Sequence, residues 1–245
     1  MSGIAVITGG GTGIGRAVAL KLAEQGWRVV VAGRRAGVLA EAAGLHPNLT
    51  PFVADVTVEA EVEALFGHAV ARLGRVDLLF NNAGSFPKAM PVEEMPAETF
   101  RAALEVNVTG MFLAARAAFR VMAAQAPRGG RIINNGSVSA QVPRPFALAY
   151  TVSKHAVTGL TKALSLEGRA HDIACGQIDI GNAATDLSAG FAAGARQADG
   201  RMAPEPMMDL EHAASAVLHM ASLPLEANVA FMTVMATKMP LVGRG

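Results

Sequence analysis

The sequence predicts an α/β protein built on a doubly wound parallel sheet of seven strands, with helices on both faces. Short and almost continuously apolar runs alternate with amphipathic segments along the chain, which is typical of parallel strands covered on both sides. No linker, repeat or low-complexity tract divides the 245 residues, so we expect a single domain spanning residues 1–245.

Seven apolar runs are the predicted strands: Ile4–Thr8, Arg28–Ala32, Thr50–Ala54, Val76–Asn81, Arg131–Asn135, Ile173–Ile180 and Val229–Val234. The predicted helices occupy the intervals: Gly13–Gln25, Gly37–Ala43, Val58–Leu73, Ala97–Gln125, Tyr150–His171 and Leu210–Ser222. Thr57 and Glu61 have a spacing that favours capping of the third helix. Residues 181–208 form the main irregular stretch, and we expect them to be a lid over a substrate site.

Composition excludes several classes of protein. Hydrophobic residues make up 51% of the chain and charged residues 17%, which favours a packed core over disorder. A formal net charge of +1 gives no basis for nucleic-acid binding. The single cysteine, Cys175, lies among apolar neighbours and suits a buried thiol in a reducing compartment. The six histidines show no metal-ligand spacing, so no metal site is expected.

Targeting signals are also not expected. No apolar stretch of about 18 residues is free of charge, so the sequence predicts no membrane-spanning helix. No basic segment precedes the first apolar strand, so it predicts no signal peptide. We therefore expect a cytoplasmic protein without membrane partners.

A glycine-rich turn follows the first strand and opens the first helix, in the run Thr8-Gly9-Gly10-Gly11-Thr12-Gly13-Ile14-Gly15. Glycines let the backbone approach a pyrophosphate closely, and the helix N-terminus offers N–H groups and the positive end of its dipole. The spacing differs from the commoner G-x-G-x-x-G fingerprint. Such a turn also occurs as an ordinary tight connection, but its position after strand one favours a dinucleotide cofactor.

Tyr150 and Lys154 lie four residues apart on a predicted helix, and Ser137 lies thirteen residues upstream of the tyrosine. Residues at this spacing share one face of a helix. A phenol titrates near pH ~10, and a neighbouring cation lowers that pKa. The pair could therefore supply a general acid or base. By itself this spacing is common by chance and is more often an ordinary helix with a surface lysine.

The ordered set of motifs resembles the short-chain dehydrogenase/reductase family, in its single-domain branch, from about residue 3 to about residue 235. The motifs are the Thr8–Gly15 turn, Asp55 in Ala54-Asp55-Val56, Asn81-Asn82-Ala83-Gly84, Asn107 in Glu105-Val106-Asn107-Val108, Ser137 in Asn135-Gly136-Ser137, and the Tyr150/Lys154 pair. The resemblance implies a Rossmann-type fold. It also implies hydride transfer between a nicotinamide and a small carbonyl or secondary-alcohol substrate.

The resemblance implies a role for each catalytic residue. Tyr150 would be the acid or base, and Ser137 would donate a hydrogen bond to the substrate oxygen. Lys154 would lower the Tyr150 pKa and hold the nicotinamide ribose, while Asn107 would hold a water that links Lys154 to solvent.

The resemblance also implies a cofactor-binding set: Thr8, Gly9, Gly11, Thr12, Gly13, Ile14, Gly15, Asp55, Val56, Asn82, Ala83, Gly84, Tyr150, Lys154, Ile180, Gly181 and Thr185. Within this set, Asp55 would accept a hydrogen bond from the adenine amino group. It could instead cap a helix or turn. The stretch Asn81–Gly84 would lie under the cofactor with a partly structural role.

The end of the second strand bears on the choice of cofactor. Gly33 stands where NAD-selective relatives carry an acid, and Arg34 and Arg35 follow it. Guanidinium groups match a 2′-phosphate, so we expect NADP(H) in preference to NAD(H). Thr12 argues the other way, because many NADP-using relatives have a basic residue there.

The chain departs from the family pattern at Ile180, where relatives have proline before the glycine, and in its tail after Val234. The resemblance implies a homo-oligomer, either a dimer or a homotetramer. A catalytically silent NADP(H)-binding sensor or scaffold is the alternative from another class, because a fold does not prove an activity. The four catalytic residue types are all present, which argues against it. The natural substrate depends on residues 86–95, 138–148 and 182–208, which carry no readable specificity.

Overall fold

A computed structural model describes residues 3–185, 194–197 and 200–241. Its strands are β1 Ile4–Thr8, β2 Arg28–Gly33, β3 Leu49–Val53, β4 Leu78–Asn81, β5 Gly130–Asn135, β6 Ile173–Ile180, β7 Ala195–Arg196, β8 Met202–Ala203 and β9 Phe231–Val234. Seven of them form one sheet in the order β3-β2-β1-β4-β5-β6-β9, and every pairing in it is parallel. The predicted fold class is confirmed.

The described helices are α1 Gly13–Glu24, α2 Ala36–Ala43, α3 Glu59–Leu73, α4 Ala97–Leu104, α5 Gly110–Ala124, α6 Leu148–Gly168 and α7 Leu210–Ser222. They pack two separate hydrophobic cores against the sheet. Ile7 of β1 lies in the core with α1 and α7, whereas the adjacent Val6 lies in the core with α3 and α5. Successive strand residues point to opposite faces, so β1 is buried on both sides, as its continuous apolar run predicts.

The predicted helix Ala97–Gln125 is not one regular helix. α4 and α5 are joined by a π-helical turn, Glu105–Thr109, which contains Asn107. Such a turn widens the backbone locally and is often found at functional sites. The helical run Ala97–Ala124 is long and apolar enough to cross a membrane, but half of its most apolar 18-residue stretch is buried inside the fold. A core helix of a globular protein has the same length and composition. No other described helix is both long and apolar enough to span a membrane.

The predicted cap of α3 is wrong. Val58 is the N-cap residue, and no side chain caps that helix. The Thr57 hydroxyl instead donates to Asp55 Oδ1 at 2.8 Å, and Glu61 Oε2 accepts from the Asp55 amide at 2.7 Å. The two side chains therefore stabilise the turn after β3 and leave the helix end uncapped.

The predicted lid, residues 181–208, is described only in part, because 186–193, 198 and 199 lie outside the described residues. Within the described part, β7 and β8 form a small antiparallel pair, and Ala183 bridges Met208. The family proline is replaced by Ile180, and β6 continues through this residue, which pairs with Val234 of β9. Proline has no N–H to donate to such a ladder.

Candidate active site

The glycine turn lies where the strand order reverses. β1 is flanked by β2 on one side and β4 on the other, and ligands of open α/β sheets bind outside the carboxyl ends of strands at such a point. Gly9 has a φ of 65°, and a Cβ on Gly15 would lie 2.2 Å from the Gly9 carbonyl oxygen. Thr12 is the N-cap of α1, and its side chain makes no capping bond. The first-turn amides of α1 can therefore bind a phosphate.

Thr8 and Gly15 shape this turn from within rather than lining it. The buried Thr8 hydroxyl accepts from the Asn82 amide at 2.9 Å and the Ala83 amide at 3.0 Å. Asn82 Nδ2 donates back to the Thr8 carbonyl at 3.0 Å. These bonds tie the turn after β1 to the turn after β4, so the partly structural role expected of Asn82 is present.

Two adjoining cavities of about 260 Å³ and about 200 Å³ form a groove along this edge of the sheet. They share Gly9, Thr12, Ala83 and Gly84 as lining residues. The larger cavity also contains these predicted site residues: Gly13, Ile14, Asn82, Ser137, Tyr150, Lys154, Ile180, Gly181 and Thr185. The smaller cavity adds Gly11, Gly33, Arg34, Arg35, Asp55 and Val56. Thr8, Gly15 and Asn107 are predicted site residues that line neither cavity.

At the far end of the groove, Arg34 and Asp55 face each other. Arg34 Nη1 lies 3.8 Å from Asp55 Oδ2, and the Arg34 side chain is 74% exposed. Asp55 Oδ1 accepts from the Thr57 amide at 2.9 Å, and this hydrogen bond is the main reason that the Asp55 pKa is lowered. Asp55 thus has the turn-capping role that the sequence left open, and its carboxylate also lines the smaller cavity.

Asn107 connects the segment after β4 to α6 through its side chain. Its side chain is fully buried, and its Oδ1 accepts from the Ser85 amide at 2.7 Å. Its Nδ2 donates to the Ser85 carbonyl at 2.9 Å and to Ser153 Oγ at 3.1 Å. Ser153 precedes Lys154 on α6, so the π-helical turn holds both the connection after β4 and the helix that carries Tyr150 and Lys154.

Ser137, Tyr150 and Lys154 converge at the near end of the groove. Ser137 follows β5 and is hydrogen-bonded to the Tyr150 hydroxyl, while its Oγ accepts from the Ser139 amide at 3.1 Å. The Tyr150 ring packs against Phe86 with 4.6 Å between ring centroids. Lys154 Nζ lies 5.5 Å from the Tyr150 ring centroid. It donates to the Asn135 carbonyl at 2.7 Å.

Burial dominates the electrostatics of this group. It raises the pKa of Tyr150 above its ordinary value, against the Ser137 hydrogen bond and the positive charge of Arg144, which both lower it. In the protein without cofactor, the net shift of the Tyr150 pKa is therefore upward, opposite to the lowering that was expected from Lys154. Burial also lowers the pKa of Lys154 to about 8, partly offset by the Asp179 carboxylate. The physical reason in both cases is that a low-dielectric site disfavours the charged form.

Sequence reasoning missed Asp179, which positions Ser137. The carboxylate is 3% exposed, and its Oδ1 accepts from the Ser137 amide at 3.0 Å and from Gln177 Nε2 at 2.7 Å. Its Oδ2 accepts from Gln141 Nε2 at 2.6 Å. A Cβ on Gly136 would lie 2.1 Å from Asp179 Oδ1, so a larger residue before Ser137 would displace this carboxylate. The available signal was an acid inside the apolar run of β6, because buried carboxylates are rare unless they are paired or hydrogen-bonded.

Cys175 lies in β6 and lines neither cavity. Cys175 is 1% exposed, and burial raises the pKa of its thiol to about 12, as expected for an inert strand thiol. Within residues 3–185, 194–197 and 200–241, no group of three or more His, Cys, Asp or Glu side chains could hold a metal ion.

A doubly wound parallel sheet with a glycine-lined groove at its strand reversal is the architecture of Rossmann-type dinucleotide-binding proteins. The groove fits a nicotinamide dinucleotide, since it runs from the phosphate-binding turn both to Tyr150 and to Arg34. Residues 3–195 match the family described as short chain dehydrogenase. The protein belongs to this family of NAD(P)-dependent oxidoreductases.

Known relatives agree with this assignment. Momilactone A synthase from Oryza sativa is 41% identical over 191 residues, covering 76% of this chain and 68% of that protein. The 3-ketoacyl-(acyl-carrier-protein) reductase from Brucella melitensis, solved with NADH, has a TM-score of 0.84 at 26% identity, covering 95% of this chain and 96% of its own. A variant actinorhodin polyketide ketoreductase, solved with NADPH, has a TM-score of 0.84 at 27% identity, with 96% of each chain covered. These neighbours support a nicotinamide cofactor.

The buried ammonium predicts a cost in stability that can be measured. Lys154→Met is expected to raise the free energy of unfolding of the cofactor-free protein by roughly 1–2 kcal/mol near pH 7. The fall of the Lys154 pKa from 10.5 in the unfolded chain to about 8 in the folded one means that burying the charged ammonium costs roughly 3 kcal/mol. The variant avoids this cost but loses the hydrogen bond to the Asn135 carbonyl, which reduces its gain by about 1 kcal/mol.

The sign of the pH dependence follows from the same values. Between about pH 8 and 10.5 the unfolded chain binds more protons than the folded one, so wild-type stability rises and the advantage of the variant shrinks. Urea denaturation at neutral and alkaline pH measures both. Lys162→Met, at an exposed position on α6, is the matched control and should show neither effect. A Lys154→Met protein less stable than wild type at neutral pH would contradict the account.

Proposed function

We propose that the protein catalyses reversible hydride transfer between NADP(H) and a small carbonyl or secondary-alcohol substrate, with Tyr150 as the acid or base. The observation that carries the proposal is the convergence of Tyr150, Ser137 and Lys154 on the cavity that adjoins the phosphate-binding turn. A tyrosine hydroxyl, a serine hydroxyl and an ammonium in one cleft can polarise and protonate a carbonyl oxygen.

The cofactor supplies or accepts the hydride when it is bound, and the side chains handle the proton and the oxygen. On reduction, the Tyr150 hydroxyl donates its proton to the substrate oxygen while the Ser137 hydroxyl donates a hydrogen bond to the same atom. The raised pKa of Tyr150 keeps the phenol protonated near neutral pH, which suits the reductive direction. On oxidation, Tyr150 must ionise, and Lys154 beside its ring would favour that form while the ammonium stays protonated. Asn107 would hold the water that reconnects Lys154 with solvent.

NADP(H) is the preferred cofactor in this proposal because of the charge at the end of β2. Arg34 and Arg35 line the smaller cavity, and no acid stands at Gly33 to bind an adenosine 2′-hydroxyl. The Arg34 side chain is largely exposed, so its guanidinium can reorient from Asp55 toward a 2′-phosphate. Thr185, Ile180 and Gly181 line the larger cavity and would contact the nicotinamide end.

We also propose that the protein forms a homo-oligomer and is located in the cytoplasm. The family resemblance implies that α5 and α6 pair with a second copy across a two-fold axis. Both helices carry exposed apolar side chains here: Phe112 on α5 is 43% exposed, and Val152 and Leu166 on α6 are 39% and 62% exposed. Covering such side chains favours a homo-oligomer, a dimer or tetramer. A cytoplasmic location is also proposed, because the single cysteine, Cys175, is a buried thiol that suits a reducing compartment.

Replacement of the proton donor tests the reaction. Tyr150→Phe should lower kcat for carbonyl reduction by about 10²–10⁴-fold or more, because general acid catalysis is lost while the ring keeps its packing against Phe86. NADPH fluorescence should report cofactor binding close to that of wild type. Near-normal turnover by this variant would rule out the mechanism. A wild-type protein that binds NADPH but turns over no carbonyl or alcohol would favour the catalytically silent alternative.

Ser137 and Ser139 allow a controlled test of which serine binds the substrate oxygen, because both line the same cavity. Ser137→Ala should lower kcat by roughly 10²–10³-fold, the usual cost of removing one donor to a developing oxyanion. Ser139 lines the same cavity, but it offers its amide to Ser137 Oγ, so Ser139→Ala should change kcat little. Equal losses in the two variants would contradict the assignment.

The cofactor preference can be tested separately. Arg34→Asp should lower kcat/KM with NADPH by roughly 10–100-fold, because charge-assisted hydrogen bonds to the phosphate are lost, and should leave NADH less affected. Arg28→Asp makes the same charge change at the opposite end of β2 and serves as the control. Unchanged kinetics with both cofactors in Arg34→Asp would show that Arg34 is not the selector.

A further inference from the structure

Two charged residues far apart in the sequence are each enclosed by prolines, in Pro143-Arg144-Pro145 and Pro204-Glu205-Pro206. Their side chains meet as a buried ion pair, with Arg144 Nη2 2.7 Å from Glu205 Oε2 and exposures of 8% and 3%. Proline fixes its own φ and restricts the preceding residue to extended conformations. The backbone therefore restrains both charged residues, which lowers the entropy lost on pairing.

The pair belongs to a network that satisfies its remaining hydrogen-bonding groups. Asn182, just after β6, accepts from Arg144 Nη2 at 2.8 Å and donates to Glu205 Oε2 at 2.7 Å. Gln197 Nε2 donates to Glu205 Oε1 at 3.3 Å. Burial tends to raise the pKa of Glu205, but the hydrogen bonds from Arg144 and Asn182 hold it below its ordinary value. Glu205 therefore stays ionised, and the network joins the β5–α6 connection to the segment before α7.

Arg144 also faces the catalytic group. It lines the larger cavity together with Tyr150, Ser137 and Lys154. Charged groups from three elements surround the phenol. The charges of Arg144 in the β5–α6 connection and of Asp179 in β6 act on its pKa. Lys154 of α6 has its Nζ 5.5 Å from the centroid of the ring. Arg144 lowers the pKa of Tyr150 and Asp179 raises it, while Glu205 lies behind Arg144 and does not line the cavity.

We propose that Arg144 is a positioning residue of the active site, held by Glu205 and Asn182 so that its charge stabilises the ionised form of Tyr150. The assignment rests on the proposed function, because it gives the second cation a role in proton transfer. It also couples the segment that carries Glu205 to the catalytic tyrosine, since a displacement of that segment would release the guanidinium.

The chain offers a direct readout, because Tyr150 is its only tyrosine. The ultraviolet absorbance of tyrosinate therefore reports the ionisation of this one side chain and requires no turnover. Circular dichroism at each pH restricts the comparison to folded protein. If wild type turns over no substrate, the proposed reaction fails while this titration still tests the role of Arg144.

Three variants separate charge from structural damage. Glu205→Gln removes the negative charge but keeps an oxygen that accepts from Arg144, so the tyrosinate midpoint should move to lower pH. The double variant Arg144→Met/Glu205→Met removes both charges and leaves no buried unpaired ion, so the midpoint should move to higher pH. Arg144→Lys retains the charge, and its midpoint should lie between those of wild type and the double variant.

Activity should follow the same order where substrate turnover is available. On the acid side of the profile, kcat/KM for alcohol oxidation should change by about tenfold for each pH unit that the midpoint moves. Midpoints that shift in opposite directions in Glu205→Gln and the double variant support the proposal. Midpoints that do not move, or that move in the same direction in both, overturn it.

Discussion

The reversal of strand order between β1 and β4 is the constraint on which the site depends. The chain winds outward from β1 to β3, then returns to place β4 on the other side of β1. The connections that leave these two neighbours diverge, so a groove opens at their carboxyl ends. Below the groove, the Thr8 hydroxyl accepts hydrogen bonds from the Asn82 and Ala83 amides and so connects the turns that follow β1 and β4. β5 and β6 extend the same edge, and they bring Ser137 and Asp179 beside the groove.

Several ionisable side chains around the groove are almost completely buried. Lys154 is 4% exposed, Asp179 is 3% exposed, and the Arg144–Glu205 pair is similarly buried. Charges in such surroundings are tolerated when hydrogen bonds and opposite charges compensate them. Each of these groups has such partners, yet burial still raises the pKa of Tyr150 and lowers that of Lys154. Buried charges of this kind lower the stability of the folded protein, which is a common trade-off between stability and activity at active sites.

Local sequence patterns identified most of the architecture. The strands were predictable because each is a buried apolar run, and Ile4–Thr8 and Ile173–Ile180 match the predicted bounds. The glycine turn was predictable because backbone geometry requires glycine there. The four catalytic residues came from a family resemblance, and their roles remain proposals.

The contacts that tune the site were not predictable from local patterns. Arg144 and Glu205 are 61 residues apart, and nothing in either short segment names its partner. The π-helical turn at Asn107 was missed because its residues fit a regular helix equally well by periodicity. Thr57 had the spacing of a helix cap, but the nearby Asp55 carboxylate takes its hydroxyl. In each case a tertiary or competing contact decided the outcome.

In the proposed reaction, the single tyrosine, Tyr150, gives its proton to the substrate oxygen or takes the proton from it. The most direct measurement compares two midpoints on wild-type protein saturated with NADP⁺. One is the midpoint of the tyrosinate absorbance titration, and the other is the midpoint of the rising limb of kcat for alcohol oxidation against pH. The account predicts that the two coincide, because ionised Tyr150 is the base. Oxidation that reaches its full rate at a pH where the tyrosine is still protonated would contradict it.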